Sequence, residues 1–253
     1  MIIVGIMGGI GHGKTTFAEA LHRAQPKSRH IENSELISEI INNWQSQTTF
    51  IPNPAKSDDV KKWLQLLPGA FEKATHQSID RNIFAFDPEI ANKHPILYEK
   101  LYTYLLDVQK KPALLSTPIT VGNKSEYRAI LQWLGGYVQV KLPPGFWFRE
   151  LIHRVKQFEM QGVELGILGG VRFPADVDVI KGADGYVLLI QRSLSREMDA
   201  NDPTEAARKL ITPDTTIHND AGIAELIGCA KKVYDNLQNA ELKQEYFAST
   251  SAN

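Results

Sequence analysis

Short apolar runs alternate along the chain with longer amphipathic segments. Five runs have the length and the apolar or β-branched content of strands, namely Ile2–Met7, Ser28–Glu32, Val163–Gly169, Gly185–Gln191 and Thr215–His218. Helical or irregular sequence separates each run from the next, which is typical of a parallel sheet covered by helices on both faces. The pattern therefore predicts a three-layer α/β fold built on a five-stranded parallel sheet.

The apolar spacing changes to the helical repeat between the second and third runs. It predicts amphipathic helices over Asp58–Leu67, Ile96–Val108, Ser125–Leu134 and Phe146–Phe158. We expect Pro68-Gly69 to end the first helix, and Ser125 is a candidate helix cap. Because this connection is far too long for a crossover loop, we predict one domain over 1–253 with a helical, substrate-holding insertion over 33–160.

Composition and charge limit the class of protein. The chain has 253 residues, of which 43% are hydrophobic and 23% are charged, and its net charge is −1. A near-neutral chain has no overall attraction for nucleic acid, and no apolar run has the roughly 20 residues needed to cross a bilayer. The one cysteine, Cys229, suits a reducing compartment. We expect a cytoplasmic protein with no membrane or nucleic-acid partner; the oligomeric state stays open, a homodimer included.

The most specific motif lies directly after the first predicted strand. Residues 8–15 read GGIGHGKT and match the phosphate-binding pattern G-x-x-x-x-G-K-[ST], with an amphipathic helix beginning behind them. Glycines in such a loop let backbone amides converge on phosphate oxygens, and the helix N-terminus adds partial positive charge. We expect Lys14 to contact the β- and γ-phosphates of ATP and the Thr15 hydroxyl to hold Mg²⁺. The predicted ATP-binding residues here are Gly9, Gly11, His12, Gly13, Lys14, Thr15 and Thr16.

A polar stretch after the fourth predicted strand carries Arg192 and Arg196. Ligands of open α/β sheets bind at the carboxyl ends of the strands, so two arginines at this place favour a phosphate-clamping lid over residues 192–204. The same composition also fits a solvated surface loop.

Four stretches occur together, in an order that makes the chain resemble the deoxynucleoside monophosphate kinases of bacteriophages, a branch of the P-loop nucleoside monophosphate kinases. They are GIMGGIGHGKTT (5–16), RAILQWLG (128–135) followed by Phe146-Trp147, VRFPAD (171–176) and IHNDAG (217–222). The first stretch is common to P-loop proteins. The pairing of the second and third is more specific, and the resemblance covers most of the chain.

The resemblance implies transfer of the γ-phosphoryl group of ATP to a (deoxy)nucleoside monophosphate. Guanidinium groups suit this reaction because they stay charged and can bind two phosphate oxygens at once. The roles carried over are catalysis by Lys14, Arg172, Arg192 and Arg196, acceptor binding by Arg128, Gln132 and Arg172, and contact with the donor's adenine by Asn219 and Gly222.

Two departures from the family pattern leave the acceptor's identity open. The family usually carries an acidic residue just before V-R-F-P, where this chain has Gly169 and Gly170. Glu32, at the end of the second predicted strand, is our candidate to supply that carboxylate or to orient the acceptor; Asp176 is a weaker candidate.

The second departure follows R-x-x-L-Q-x-x-G, where the family has an acid and then an arginine. This chain has neither there, with Val140 at the arginine position and Lys141 as a candidate substitute. Three alternatives follow: a kinase for another small-molecule hydroxyl, a kinase for a modified nucleobase, or an ATP-binding module without catalysis. A GTPase is disfavoured because the segment 123–126 reads NKSE instead of N-K-x-D and follows no apolar strand.

Overall fold

A computed structural model of the chain describes residues 1–9, 11–85, 87–192, 207–220 and 223–239. In these ranges the strands are β1 (Ile2–Met7), β2 (Ser28–Glu32), β3 (Leu165–Val171), β4 (Tyr186–Gln191) and β5 (Thr215–His218). The helices are α1 (Lys14–Ala24), α2 (Asn33–Gln47), α3 (Ser57–Leu64), α4 (Leu67–Thr75), α5 (Pro88–Lys93), α6 (Pro95–Lys110), α7 (Arg128–Lys141), α8 (Phe146–Lys156), α9 (Pro174–Lys181) and α10 (Ile223–Gln238). No helix in the described ranges combines the length and the apolar content needed to cross a bilayer.

The chain divides into two compact units. One comprises Met1–Asn33 with Pro144–Asn253 and contains the sheet; the other, Ser34–Pro143, is helical. All of α8 falls within the predicted insertion, but α8 packs on β3 and α9 in the sheet unit.

The five described strands form one sheet in the order β2-β3-β1-β4-β5, and every neighbouring pair is parallel. This confirms the predicted α/β class and the five-stranded parallel sheet. The third strand begins and ends two residues later than predicted, at Leu165 and Val171. Its register against β1 slips near its end, where Ile6 pairs with Gly169 but Met7 pairs with Val171. Gly170 takes up the extra residue with φ +89°, a conformation that favours glycine.

Apolar side chains on the two faces of the sheet pack against different helices. Val4, Ile6 and Ile167 share a buried cluster with Phe17 of α1 and with residues of α10. On the opposite face, a Cβ at Gly5 would lie 2.4 Å from the Ile180 side chain of α9, and a Cβ at Gly166 would lie 2.9 Å from Val155 of α8. The sheet is therefore a middle layer with helices on both sides.

The helical unit has an aromatic core. The rings of Trp44 and Trp63 stack with centroids 3.8 Å apart, and Trp44 Nε1 donates a hydrogen bond of 2.9 Å to the Trp63 carbonyl oxygen. Trp133 and Tyr104 extend the cluster from α7 and α6. These side chains are 1% exposed or less, so their packing supplies much of the unit's apolar burial.

Two sequence-based helix boundaries are wrong. The predicted helix over Asp58–Leu67 is two helices, α3 and α4, and Pro68-Gly69 lies in the first turn of α4 instead of ending a helix. Proline is tolerated there because the first-turn N–H groups have no intrahelical partner. Ser125 does not cap α7: it lies in a 3₁₀ turn over Lys124–Tyr127, and α7 begins at Arg128.

We expect Phe17→Ala to lower the free energy of unfolding by about 3–5 kcal/mol, because this fully buried ring fills the layer between α1 and the sheet. Urea denaturation followed by circular dichroism measures the change. Met160→Ala is the control: its side chain is 98% exposed, and we expect a change of about 0.5 kcal/mol or less. Equal losses in the two variants would contradict the described core.

Candidate functional site

The loop between β1 and α1 makes a tight turn at the carboxyl end of the central strand. Gly8, Gly11 and Gly13 have φ values of +148°, +78° and +91°. At Gly13 the space is also closed, since a Cβ would lie 2.4 Å from Asn219 Nδ2. Gly8 lies against β4, where a Cβ would be 2.3 Å from the Ile190 carbonyl oxygen. Side chains at these positions would therefore disturb the loop or its supports.

The side chains of His12 and Asn219 hold this loop through hydrogen bonds. His12 Nδ1 donates to the Ile190 carbonyl oxygen over 3.2 Å, which assigns the proton to that nitrogen. Asn219 Nδ2 donates to the His12 carbonyl oxygen over 2.9 Å, and the Asn219 backbone N–H bonds Gln191 at the end of β4. Asn219, a predicted adenine contact, thus supports the loop and fixes it to the ends of β4 and β5.

Lys14 begins α1 and turns its side chain back over the loop. Its ammonium donates to the Gly9 carbonyl oxygen over 2.5 Å. All residues of α1 are described, and its first turn contains no acidic residue. Its N-cap is Gly13, so no side chain caps the helix. Thr15 in that turn is exposed. The positive end of the helix dipole and a cation therefore lie together at the loop.

Glu32, the last residue of β2, extends its carboxylate over the neighbouring strand. Glu32 and Gly169 are register partners, and a Cβ at residue 169 would lie 2.2 Å from Glu32 Cδ and Oε1 and 2.3 Å from Oε2. His30 Nε2 donates to Glu32 Oε1 over 3.1 Å. The carboxylate therefore occupies the space in which a side chain of residue 169 would begin.

Asp176 and Arg172 follow β3 at the same edge of the sheet. Asp176 is 2% exposed, and its Oδ2 accepts hydrogen bonds of 3.0 Å from the backbone N–H groups of Arg172 and Phe173. These two bonds use Asp176 Oδ2 to stabilise the turn into α9. Arg172 is exposed. The structure thus brings Lys14, Glu32, Asn219 and Arg172 to the carboxyl edge of one sheet.

Arg128 and Gln132 lie one turn apart on α7 in the helical unit, as their spacing predicts. Both line a groove of about 370 Å³ between α6 and α7, with Lys100 and Thr103 on the facing helix. Among the described residues, neither Arg128 nor Lys100 takes part in an ion pair. Sequence reasoning missed Lys100 and Thr103 because only the packing of the two helices makes them neighbours of Arg128.

Lys141, the candidate substitute for the missing arginine, has a local partner. Its ammonium donates to Asp87 Oδ2 over 2.6 Å, and Asp87 Oδ1 accepts from the backbone N–H of Glu89 in the first turn of α5. The hydrogen bond from Lys141 is the main cause that holds the pKa of Asp87 below its usual value. In this structure Lys141 therefore joins two helices of its own unit.

Several predicted site residues lie outside the described ranges. They are Arg196, Gly222 and the predicted lid over 192–204 apart from its first residue, Arg192. Arg192 is described and is exposed. Within the part of the chain that the structure describes, no group of three or more His, Cys, Asp or Glu side chains forms a metal centre.

The chain was compared with known proteins at the level of families and of individual sequences. No family model matches it, and no curated protein matches it.

We expect Lys141→Met to lower stability near neutral pH, because the Asp87 carboxylate loses its main partner. The pKa of Asp87 is lowered in the folded chain, so the pair's contribution is present above the ordinary carboxyl pKa of about 3.9 and is lost as pH falls through the lowered value. The difference in melting temperature between variant and wild type should therefore shrink from about pH 6 to about pH 2.

Lys100→Met is the control for this experiment, since Lys100 has no ion pair among the described residues. Its difference from wild type should not follow the Asp87 titration. A pH-independent difference for Lys141→Met would show that the lysine does not stabilise the fold through Asp87.

Proposed function

We propose that this chain is a P-loop phosphotransferase that moves the γ-phosphoryl group of ATP to a (deoxy)nucleoside monophosphate, forming the diphosphate and ADP. The observation that carries the proposal is the conformation of the β1–α1 loop. Three glycines with positive φ precede Lys14 at the carboxyl end of the central strand. This arrangement is suited to surrounding a phosphate chain with backbone amides.

The donor phosphates would lie in the loop. Their negative charge is complementary to the N-terminus of α1, whose first turn carries no acidic side chain. The Lys14 ammonium, which bonds the Gly9 carbonyl oxygen in the chain by itself, would exchange that oxygen for oxygens of the β- and γ-phosphates. The exchange needs rotation of one side chain and leaves the supports at His12 and Asn219 in place.

Oxygen donors near this loop fit Mg²⁺, which prefers hydroxyl, carboxylate and phosphate oxygens. Thr15 offers an exposed hydroxyl in the first turn of α1, and Glu32 offers a carboxylate over Gly169. When bound, the cation would neutralise part of the phosphate charge. The residues of the chain would orient it and the phosphates.

Arginines would hold the acceptor and balance the charge that spreads over the transferring group. Arg172 leaves β3 at the same sheet edge as Lys14, which suits a contact with a phosphate. Arg128 and Gln132 share the α6–α7 groove of about 370 Å³, which is also lined by Lys100 and by the acidic residues Glu99, Asp107 and Glu126. Following the resemblance, we assign acceptor binding to Arg172 and, separately in the helical unit, to Arg128 and Gln132, and charge stabilisation to Arg192 and Arg196.

A second acceptor class remains a candidate because of Lys141. Lys141 bonds Asp87, so no residue replaces the arginine that the kinases resembling this chain carry at the position of Val140. A kinase acting on another small-molecule hydroxyl would tolerate that loss. ADP formation with ATP, tested against a panel of nucleoside monophosphates and nucleosides, separates the two classes, and no ADP with any acceptor would indicate an ATP-binding module instead.

We expect Lys14→Ala to lower ATP-dependent turnover about 100-fold or more, because it removes the cation that contacts the transferring group. Coupled measurement of ADP formation tests this. Lys231→Ala is the control, since Lys231 is exposed on α10 and should retain full turnover. Normal turnover in the Lys14 variant would overturn the proposed function.

We expect Arg172→Ala to raise the KM for the acceptor about 10-fold or more while the KM for ATP stays within about twofold, because one charge-assisted contact to the acceptor phosphate is lost. Steady-state kinetics with each substrate varied in turn measures both values. Arg23→Ala, at a side chain that is 79% exposed, is the control. Equal changes in the two KM values would argue against an acceptor role.

A further inference from the structure

We propose that Gly169 is a positioning residue: its missing side chain lets Glu32 reach across β3 and serve as the carboxylate that holds the cation bound with ATP. The inference rests on the proposed function and deepens it. Glycine has no functional group that could bind a ligand. In the family pattern, Gly169 stands only for the absence of an acidic residue.

The sheet order gives the first step of the argument. β3 lies between β2, which ends at Glu32, and β1, which leads into the glycine loop. Neighbouring strands are about 4.8 Å apart. A carboxylate that extends over β3 is therefore about one strand nearer to the loop than one that stands above its own strand.

The contact with Gly169 gives the second step. Three atoms of the Glu32 carboxyl group would lie within 2.3 Å of a Cβ at residue 169, well inside van der Waals contact. Any side chain there would push the carboxylate away. The obstacle would be the far end of a flexible side chain, so the backbone of β3 could accept alanine while Glu32 moves.

The face of the sheet gives the third step. Side chains alternate along a strand, so residue 169 shares a face with Leu165 and Ile167, which pack in the cluster that contains Phe17 of α1. Glu32, the register partner of Gly169, lies on this face. α1 is also the helix that presents Thr15 in its first turn. The carboxylate and the hydroxyl are thus on the same side of the sheet and at the same edge.

His30 fixes the direction of the carboxylate. It precedes Glu32 by two residues on the same strand face, and its Nε2–H donates to Oε1 over 3.1 Å. The Glu32 side chain is 24% exposed, so a ligand can approach it. Metal-binding carboxylates are commonly oriented by such a second hydrogen bond. If Glu32 served only in a pair with His30, displacing it would change stability and nothing else.

Gly169→Ala tests the positioning role without removing the carboxylate. We expect the affinity of the protein–ATP complex for Mn²⁺, measured by electron paramagnetic resonance, to fall about tenfold, with ATP affinity in EDTA unchanged. Gly166→Ala is the matched control on the same strand: its Cβ would meet Val155 and Ile3 on the opposite face, so it should lower stability and leave Mn²⁺ affinity unchanged. Equal Mn²⁺ affinities in the two variants would overturn the inference.

A transplanted carboxylate gives the sharper test. Glu32→Ala should lower Mn²⁺ affinity about tenfold or more, and Gly169→Asp in the Glu32→Ala background should recover at least part of it, because the new carboxylate grows from the space that Glu32 vacates. A purely structural role for Glu32 predicts no recovery. Absence of recovery, or a change confined to the KM for the acceptor, would contradict the cation role.

The two levels of the proposal can fail separately. If wild type does not bind ATP in EDTA, or if Lys14→Ala leaves Mn²⁺·ATP binding and turnover unchanged, the proposed function fails. If wild type binds Mn²⁺·ATP and depends on Lys14, but Glu32→Ala and Gly169→Ala leave Mn²⁺ affinity unchanged, only the assignment of Glu32 and Gly169 fails.

Discussion

The turn from the central strand into α1 is the constraint on which the candidate site depends. Gly8 and His12 lie against Ile190 of β4, and Gly8, Gly11 and Gly13 adopt positive φ values that favour glycine. The His12 ring bonds the loop to β4, and the amide of Asn219, directly after β5, bonds the His12 carbonyl oxygen. The geometry of the site is therefore a property of the whole parallel edge and not of the motif alone.

The same edge determines where charge collects. Parallel strands all end on one side of the sheet, so residues that follow β1, β2, β3 and β5 become neighbours although they are far apart in the chain. Lys14, Glu32 and Arg172 all lie at this edge, and the first turn of α1 carries no acidic residue. Other charged groups have local structural partners, as Asp176 does in the turn into α9.

Much of the sheet was predictable because a strand's apolar pattern is local. β1, β2 and β5 have the predicted bounds, whereas β3 ends later because the bulge at Gly170 keeps Val171 paired with Met7. The helical unit was less predictable, since proline at the start of α4 has the same sequence signal as a helix end. Arg128 and Gln132 share a groove as their spacing indicates, but the facing residues come from another helix.

The relation between Glu32 and Gly169 was beyond sequence reasoning for a different reason. The sequence offers a carboxylate at one strand end and a glycine at another, but their contact depends on register between strands separated by the whole helical unit. The same holds for Lys141 and Asp87, whose bond arises only when two helices pack. The roles of the loop, of Thr15 and of the arginines stay predictions of the motif and of the resemblance.

The supports of the glycine loop have an energetic consequence. Because hydrogen bonds of His12 and Asn219 already hold this loop, it has few conformations to lose when a ligand binds. The entropy cost of ordering a free loop would otherwise be subtracted from the attraction between amides and anion. If the loop holds phosphates as proposed, its hydrogen-bonded supports would reduce this cost.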